Sequence, residues 1–135
     1  SVWPEGSPIT TSMITDFGTP DTGWIPLTLL NGWNSYDNEY GPSGYSGSTA
    51  PPILRKVGKT VYLRGLIKGG SSSSAVIATL PVGFRPSLGK TRITTTTYNE
   101  AHGQIDIQGS TGNILPVSVS VSTNWLSLNC SFVVD

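Results

Sequence analysis

The sequence predicts an all-β protein, an antiparallel β-sandwich or jelly-roll-like domain of about eight short strands. Three observations carry that expectation. Gly (16) and Pro (10) are frequent, and no window of helical length both lacks them and shows an apolar stripe at a 3.6-residue period. Apolar and polar residues alternate over several short runs, as in strands with one buried face. Clusters of Gly, Pro, Asn and Ser separate those runs. At 135 residues the chain is expected to form one domain with a core of modest size.

In chain order, residues 1–23 are rich in Pro, Thr, Gly and Asp and read as an irregular lead-in or linker. Residues 24–135 form the expected sandwich. Trp24 to Leu30 is the first strand, with Pro26 placing it at an edge or a strand start. Asn31 to Pro52 is a long loop carrying Trp33, Tyr36, Tyr40 and Tyr45. Such aromatics either supply rigid contact area to a ligand or fold back over the end of the sandwich.

Ile53 to Pro86 is the organising stretch. Lys56 to Lys59 is read as a turn. Val61, Leu63, Gly65 and Ile67 then share one face, with Tyr62, Arg64, Leu66 and Lys68 on the other. After a Gly–Ser loop, Ala75 to Leu80 is expected to pair with this strand as its antiparallel neighbour. Leu80 to Pro86 is a corner anchored by Phe84. Thr91 to Tyr98 is strongly β-prone, Asn99 to His102 a turn, and Gly103 to Gln108 a strand with Ile105 and Ile107 inward. Gly109 to Gly112 is a turn and Asn113 to Ser122 gives one or two short strands. Leu126, Leu128, Cys130, Phe132 and Val134 form the clearest inward face.

Charged residues make up 12% of the chain and the formal net charge is zero, which argues against nucleic-acid binding through a basic surface. The charges are segregated, however. All eight Lys and Arg lie between Arg55 and Arg92, and all eight acids lie outside that span, in Glu5 to Glu39 and Glu100 to Asp135. Either the basic strands sit beside acidic neighbours or they form a patch facing an anionic polymer. The single Cys130 is expected to be a buried thiol rather than a nucleophile, and one His with one Cys excludes a His/Cys zinc cluster within one chain. No cofactor is implied. No phosphate-cradling loop or G-x-S-x-G elbow is present. Asp37, Glu39, Glu100 and Asp106 leave a carboxylate pair open, although nothing in their spacing singles them out. No apolar run approaches membrane-spanning length and no signal-peptide pattern is visible, so no membrane partner is expected. The chain starts at Ser1 without Met and reads as a piece of a longer protein.

One constellation has the chemistry of a binding site. His102, Gln104, Asp106 and Gln108 share a parity, opposite Ile105 and Ile107, and Arg92, Thr94, Thr96 and Tyr98 share another. A hairpin between these strands would make a wall of imidazole, amide, carboxylate and hydroxyl groups, the kind that hydrogen-bonds a sugar. The same pattern also suits an ordinary solvated face. The expected ligand residues are His102, Gln104 and Asp106, with an aromatic from Tyr98, Trp33 or Trp125 under the sugar ring. Arg64 and Lys68 are the rival if the ligand is phosphate-rich.

The ordered segments GWIPLTLLNGW, RKVGKTVYLRGLIKGG, IATLPVGFRP, QIDIQGSTGNI and NWLSLNCSF resemble the C-terminal head domain of receptor-binding or baseplate proteins in tailed phages and prophages of Gram-positive bacteria. The resemblance runs from about Trp24 to Phe132, and Phe84 stands where many relatives have Tyr. It implies a homotrimer of β-sandwich heads at the virion tail tip. Such heads bind cell-wall saccharide or teichoic acid without catalysis and assemble with other tail or baseplate proteins. It also implies that His102, Asp106 and Trp125 belong to the saccharide site. Two alternatives are a structural domain that only trimerises or attaches, and a fragment of a polysaccharide-degrading tailspike. Tyr62 and Leu66, with Val133, are apolar residues on otherwise polar faces and are expected at a subunit interface.

Overall fold

A computed structural model describes residues 19–38, 40–41, 49–70, 75–98, 101–117, 119 and 125–134. Eleven strands form two antiparallel sheets that pack as a sandwich. The four-stranded sheet is ordered β1 (Ile25–Pro26), β3 (Ile53–Val57), β4 (Thr60–Arg64), β11 (Cys130–Val133). The seven-stranded sheet is ordered β2 (Asn34–Ser35), β5 (Leu66–Lys68), β10 (Leu126–Ser127), β7 (Thr91–Thr97), β8 (Ala101–Ile107), β9 (Asn113–Val117), β6 (Ala78–Thr79). Leu54, Val61, Leu63 and Phe132 from the first sheet and Ile67, Ile105, Ile107, Ile114 and Leu126 from the second share one buried cluster. The count among the described residues exceeds eight because two alternating runs each divide between the sheets, and because β2 forms within the stretch read as a long loop and β3 ahead of the alternating run.

The first division is at Gly65. Residues 60–68 alternate as expected, with Val61, Leu63 and Ile67 buried and Tyr62 and Arg64 exposed. The chain nevertheless leaves one sheet after Arg64 and enters the other at Leu66. Gly65 takes φ +144, and a Cβ there would lie 2.7 Å from the Pro52 Cα. Only glycine meets both demands without strain. The second division lies beside it, between β10 and β11. The Leu128 N–H donates to the Gly65 carbonyl at 2.8 Å, and the Gly65 N–H donates to the Asn129 Oδ1 at 3.0 Å. Two adjacent strands therefore turn the same corner together.

This corner overturns the expected pairing of residues 61–68 with Ala75–Leu80. On one side β5 pairs with β2, and on the other with β10, so neither edge is open. The Ala75–Leu80 run goes to the far edge, where β6 pairs with β9 and Ile77, Ala78 and Leu80 are fully buried. The partner of β4 within its own hairpin is β3, with Gly58 at φ +60 in the turn. The turn expected over Lys56–Lys59 is thus confined to Gly58 and Lys59, and Ile53–Val57 is a strand.

Other elements follow the sequence closely. The β7–β8 hairpin forms, but its second strand begins at Ala101 and not at Gly103, so Ala101 and His102, expected in a turn, pair with Thr97 and Thr96; the Gly109–Gly112 turn closes with the Gly112 N–H on the Gln108 carbonyl. Phe84 is partly buried against the core. The strand expected over Trp24–Leu30 is limited to two residues at the sheet edge, where Pro26 faces Ile53. Residues 20–22, within the segment read as lead-in, bond to β3 and its turn: the Thr22 N–H donates to the Lys56 carbonyl and the Gly58 N–H to the Pro20 carbonyl. Leu128, Phe132 and Val134 are buried as expected, and Cys130 is half-buried against the core, where burial pushes its thiol up to about 12. Tyr62 and Val133 are exposed on the four-stranded sheet, whereas Leu66 belongs to the other sheet. The three therefore do not form one apolar face.

Gly65→Ala should lower stability by about 2–3 kcal/mol, because it adds backbone strain and a clash with Pro52 backbone that no rotamer relieves. Chemical denaturation measures this; an unchanged midpoint would contradict the corner described above.

Candidate functional site

The outer face of β7 and β8 is built by an uninterrupted register. Arg92 pairs with Asp106, Thr94 with Gln104 and Thr96 with His102, while Ile93, Thr95, Ile105 and Ile107 turn inward. The inward Thr95 hydroxyl is accommodated by donating to the Ser127 carbonyl at 2.9 Å. His102 is exposed and Gln104 half-buried. With Thr94 and Gly103 they line a shallow depression of about 250 Å³. A second depression, about 320 Å³, lies at the other end of the hairpin and is lined by Gly89, Lys90, Gln108, Gly109 and Ser110.

Asp106 stands between them and is not the exposed carboxylate the parity suggested. It is 5% exposed. In the register it lies between Arg92 on β7 and Leu115 on β9, so both neighbours cover it. Arg92 clamps it with two bonds, Nε to Oδ1 at 2.7 Å and Nη2 to Oδ2 at 2.9 Å, and the Lys90 ammonium lies 3.5 Å from Oδ2. The bond from Arg92 holds the Asp106 carboxyl below the usual carboxylate range, against the opposing effect of burial. This carboxylate positions Arg92.

The aromatic candidates divide. Tyr98 is 51% exposed just beyond β7, and its N–H donates to the Trp125 carbonyl at 3.1 Å, so these two flank the His102 end of the hairpin. Trp125 is half-buried. Trp33 is a correction: it is 2% exposed, belongs to the core cluster and is packed so tightly over Gly70 that a Cβ there would overlap its indole. It cannot lie under a sugar ring. The neighbouring Tyr40 also folds back, its hydroxyl donating to Asn34 Oδ1 and accepting the Ser35 N–H. Tyr36 is partly exposed beneath the Lys68 ammonium, 5.5 Å from the ring centroid. Tyr45 lies outside the described residues.

Of the carboxylates left open for acid–base chemistry, Asp37 and Asp106 are each bound by protein partners. Asp37 accepts the Thr49 N–H and hydroxyl, and Asp106 is clamped by Arg92. Glu39 and Glu100 lie outside the described residues. Among the described residues no group of three or more His, Cys, Asp or Glu is arranged to hold a metal ion, and no helix is long and apolar enough to cross a membrane.

The fold has a solved counterpart. The chain is similar to the crystal structure of the receptor binding protein (gp15) of Listeria phage PSA, with a TM-score of 0.68 and 20% sequence identity, over 92% of this chain and 71% of that one. No family model and no curated protein matches the chain. A likeness at this identity speaks for the fold, and the all-β antiparallel sandwich agrees with it.

Asp106→Asn should cost about 1–2 kcal/mol, the scale of a hydrogen-bonded charge pair discounted for the half-exposed Arg92. Because the native carboxyl is held low, its contribution is complete above the unfolded value near pH ~4 and fades as pH falls through the native value. Acid unfolding should therefore be shallower in Asp106→Asn than in the parent chain below that pH. Parallel curves would show that the clamp contributes nothing.

Proposed function

We propose that this chain is the receptor-binding head of a phage tail protein and recognises cell-wall carbohydrate, including teichoic acid, on a Gram-positive host without catalysis. The observation that carries the reading is the fold likeness to a phage receptor binding protein over 92% of the chain. Fold alone does not assign function, and the site adds an independent argument. The His102–Gln104–Thr94 depression is shallow and polar, and the exposed Tyr98 stands on the same face of β7 beyond its His102 end. Hydrogen-bonding groups beside an aromatic suit a saccharide, and a shallow site suits weak binding multiplied by several copies. The homotrimer and attachment to other tail or baseplate proteins at the virion tip belong to the same reading.

Each site should bind a monosaccharide at around millimolar, roughly 4 kcal/mol. His102→Ala and Gln104→Ala should each weaken binding to host cells; His102→Ala should leave the melting temperature unchanged, since an exposed side chain contributes little to folding, and Gln104→Ala should lower it only slightly, since that side chain is half-buried. A screen of purified cell wall, teichoic acid and simple sugars checks this. Absence of any binding favours a structural attachment domain instead, and release of shortened product favours a degrading enzyme.

Assembly is checked separately by light scattering of the chain at micromolar concentration. The mass of three chains is the expected result, and a stable monomer counts against the trimer.

A further inference from the structure

The four-stranded sheet carries a concavity of its own, apart from the two depressions along the β7–β8 hairpin. Its outer face is the parity of Tyr62 and Arg64 on β4, with Arg55 and Val57 on β3. Trp24, just before β1, lies beside them. These residues line a groove of about 350 Å³ with Leu63 and Cys130. Two guanidinium groups flank the Trp24 indole, that of Arg55 at 5.7 Å and that of Arg64 at 6.0 Å from the ring centroid.

The two arginines differ in what else they hold. Arg55 is neutralised by Asp21, with Nε donating to Oδ1 at 2.9 Å and Nη2 to Oδ2. That bond, with the Gly23 N–H, holds the Asp21 carboxyl down at about 2, so the pair stays ionised at neutral pH. The Arg64 side chain is exposed and makes no hydrogen bond or ion pair among the described residues. The β3–β4 hairpin bears Arg55, Lys56, Lys59 and Arg64 and no acid. Of these, Lys56 is turned to the Gly83 carbonyl. Arg64 thus leaves an uncompensated, fork-shaped donor set at the rim of an aromatic groove.

We propose that the Trp24–Tyr62–Arg64 groove is a second binding site, for a saccharide or polyol that carries a phosphate or carboxylate group. Arg64 takes the anion through paired N–H donors, a geometry that suits both oxyanions. The Trp24 and Tyr62 rings take the C–H side of the sugar or polyol. The Arg55–Asp21 pair fixes the indole between the two cations and contributes no net charge. The site lies on the opposite sheet from the His102 depression, and its chemistry holds whether or not the chain acts as a phage receptor-binding head.

The test is titration of the full chain, followed by amide and indole N–H resonances, with glycerol phosphate and galacturonate as charged probes and glycerol and methyl galactoside as neutral controls. Both charged probes should shift the Trp24 indole and the β3–β4 amides, and the neutral controls should not. Affinity should fall with added salt. Arg64→Gln should weaken binding by about tenfold, and Arg64→Lys by less, with melting temperatures unchanged in both. His102→Ala should leave this titration untouched, which separates failure of the groove from failure of the strand-face site. The proposal is overturned if neither charged probe shifts groove resonances, if neutral controls shift them equally, or if both Arg64 variants bind as the parent does. A response to only one charged probe retains the site and assigns its anion.

Discussion

The structure depends on the corner at Gly65. A strand that keeps strict alternation on both sides of it nevertheless serves two sheets, because the backbone turns at a residue with no Cβ. The Leu128 and Asn129 contacts to Gly65 bind the second crossing chain to the first, so both sheets are set relative to each other at one place. Inward parity survives the turn: Leu63 and Ile67 are both fully buried although they belong to different sheets. The core is continuous for that reason.

The same corner distributes charge. Arg64 and Lys68 are four residues apart and would share a face in a straight strand. The turn sends Arg64 to the outer face beside Trp24 and Lys68 to the ring of Tyr36. The sequence segregates its cations between Arg55 and Arg92, and the fold compensates some of them and occupies others. Arg55 meets Asp21, Arg92 and Lys90 meet Asp106, and Arg85 donates to the Leu80 and Ser110 carbonyls. Of the two expectations for the segregated charge, acidic neighbours account for the paired positions. The uncompensated Arg64 retains the character of a basic patch.

The candidate strand site shows how much of a binding surface parity can reveal. Alternation placed His102, Gln104 and Asp106 on one outer face, and the structure sets them opposite Thr96, Thr94 and Arg92. Alternation does not report what lies on either side of a strand. β8 is an interior strand, so Arg92 and Leu115 cover Asp106 from both neighbours. His102 lies near the strand's beginning, beyond the last described pair between β8 and β9, Gln104 with Val117, and is exposed. The Trp24 groove was missed for the complementary reason. Its members come from residues 24, 55, 62 and 64, and only the β1–β3–β4 order brings the first to the others.

The sequence by itself determined the fold class, the inward faces of the long strands, the pairing of β7 with β8, the turn over Gly109–Gly112, and the edge position of Pro26. These depend on contacts a few residues apart, on steric limits of single residues, and on a period of two that burial enforces locally. Tertiary structure decided the pairing of residues 75–80 with β9, the burial of Trp33 and Asp106, and the neutralisation of Arg55. Each of those is set by a partner distant in the chain, and alternation records only which side of a strand a residue faces, never what the fold brings to that side.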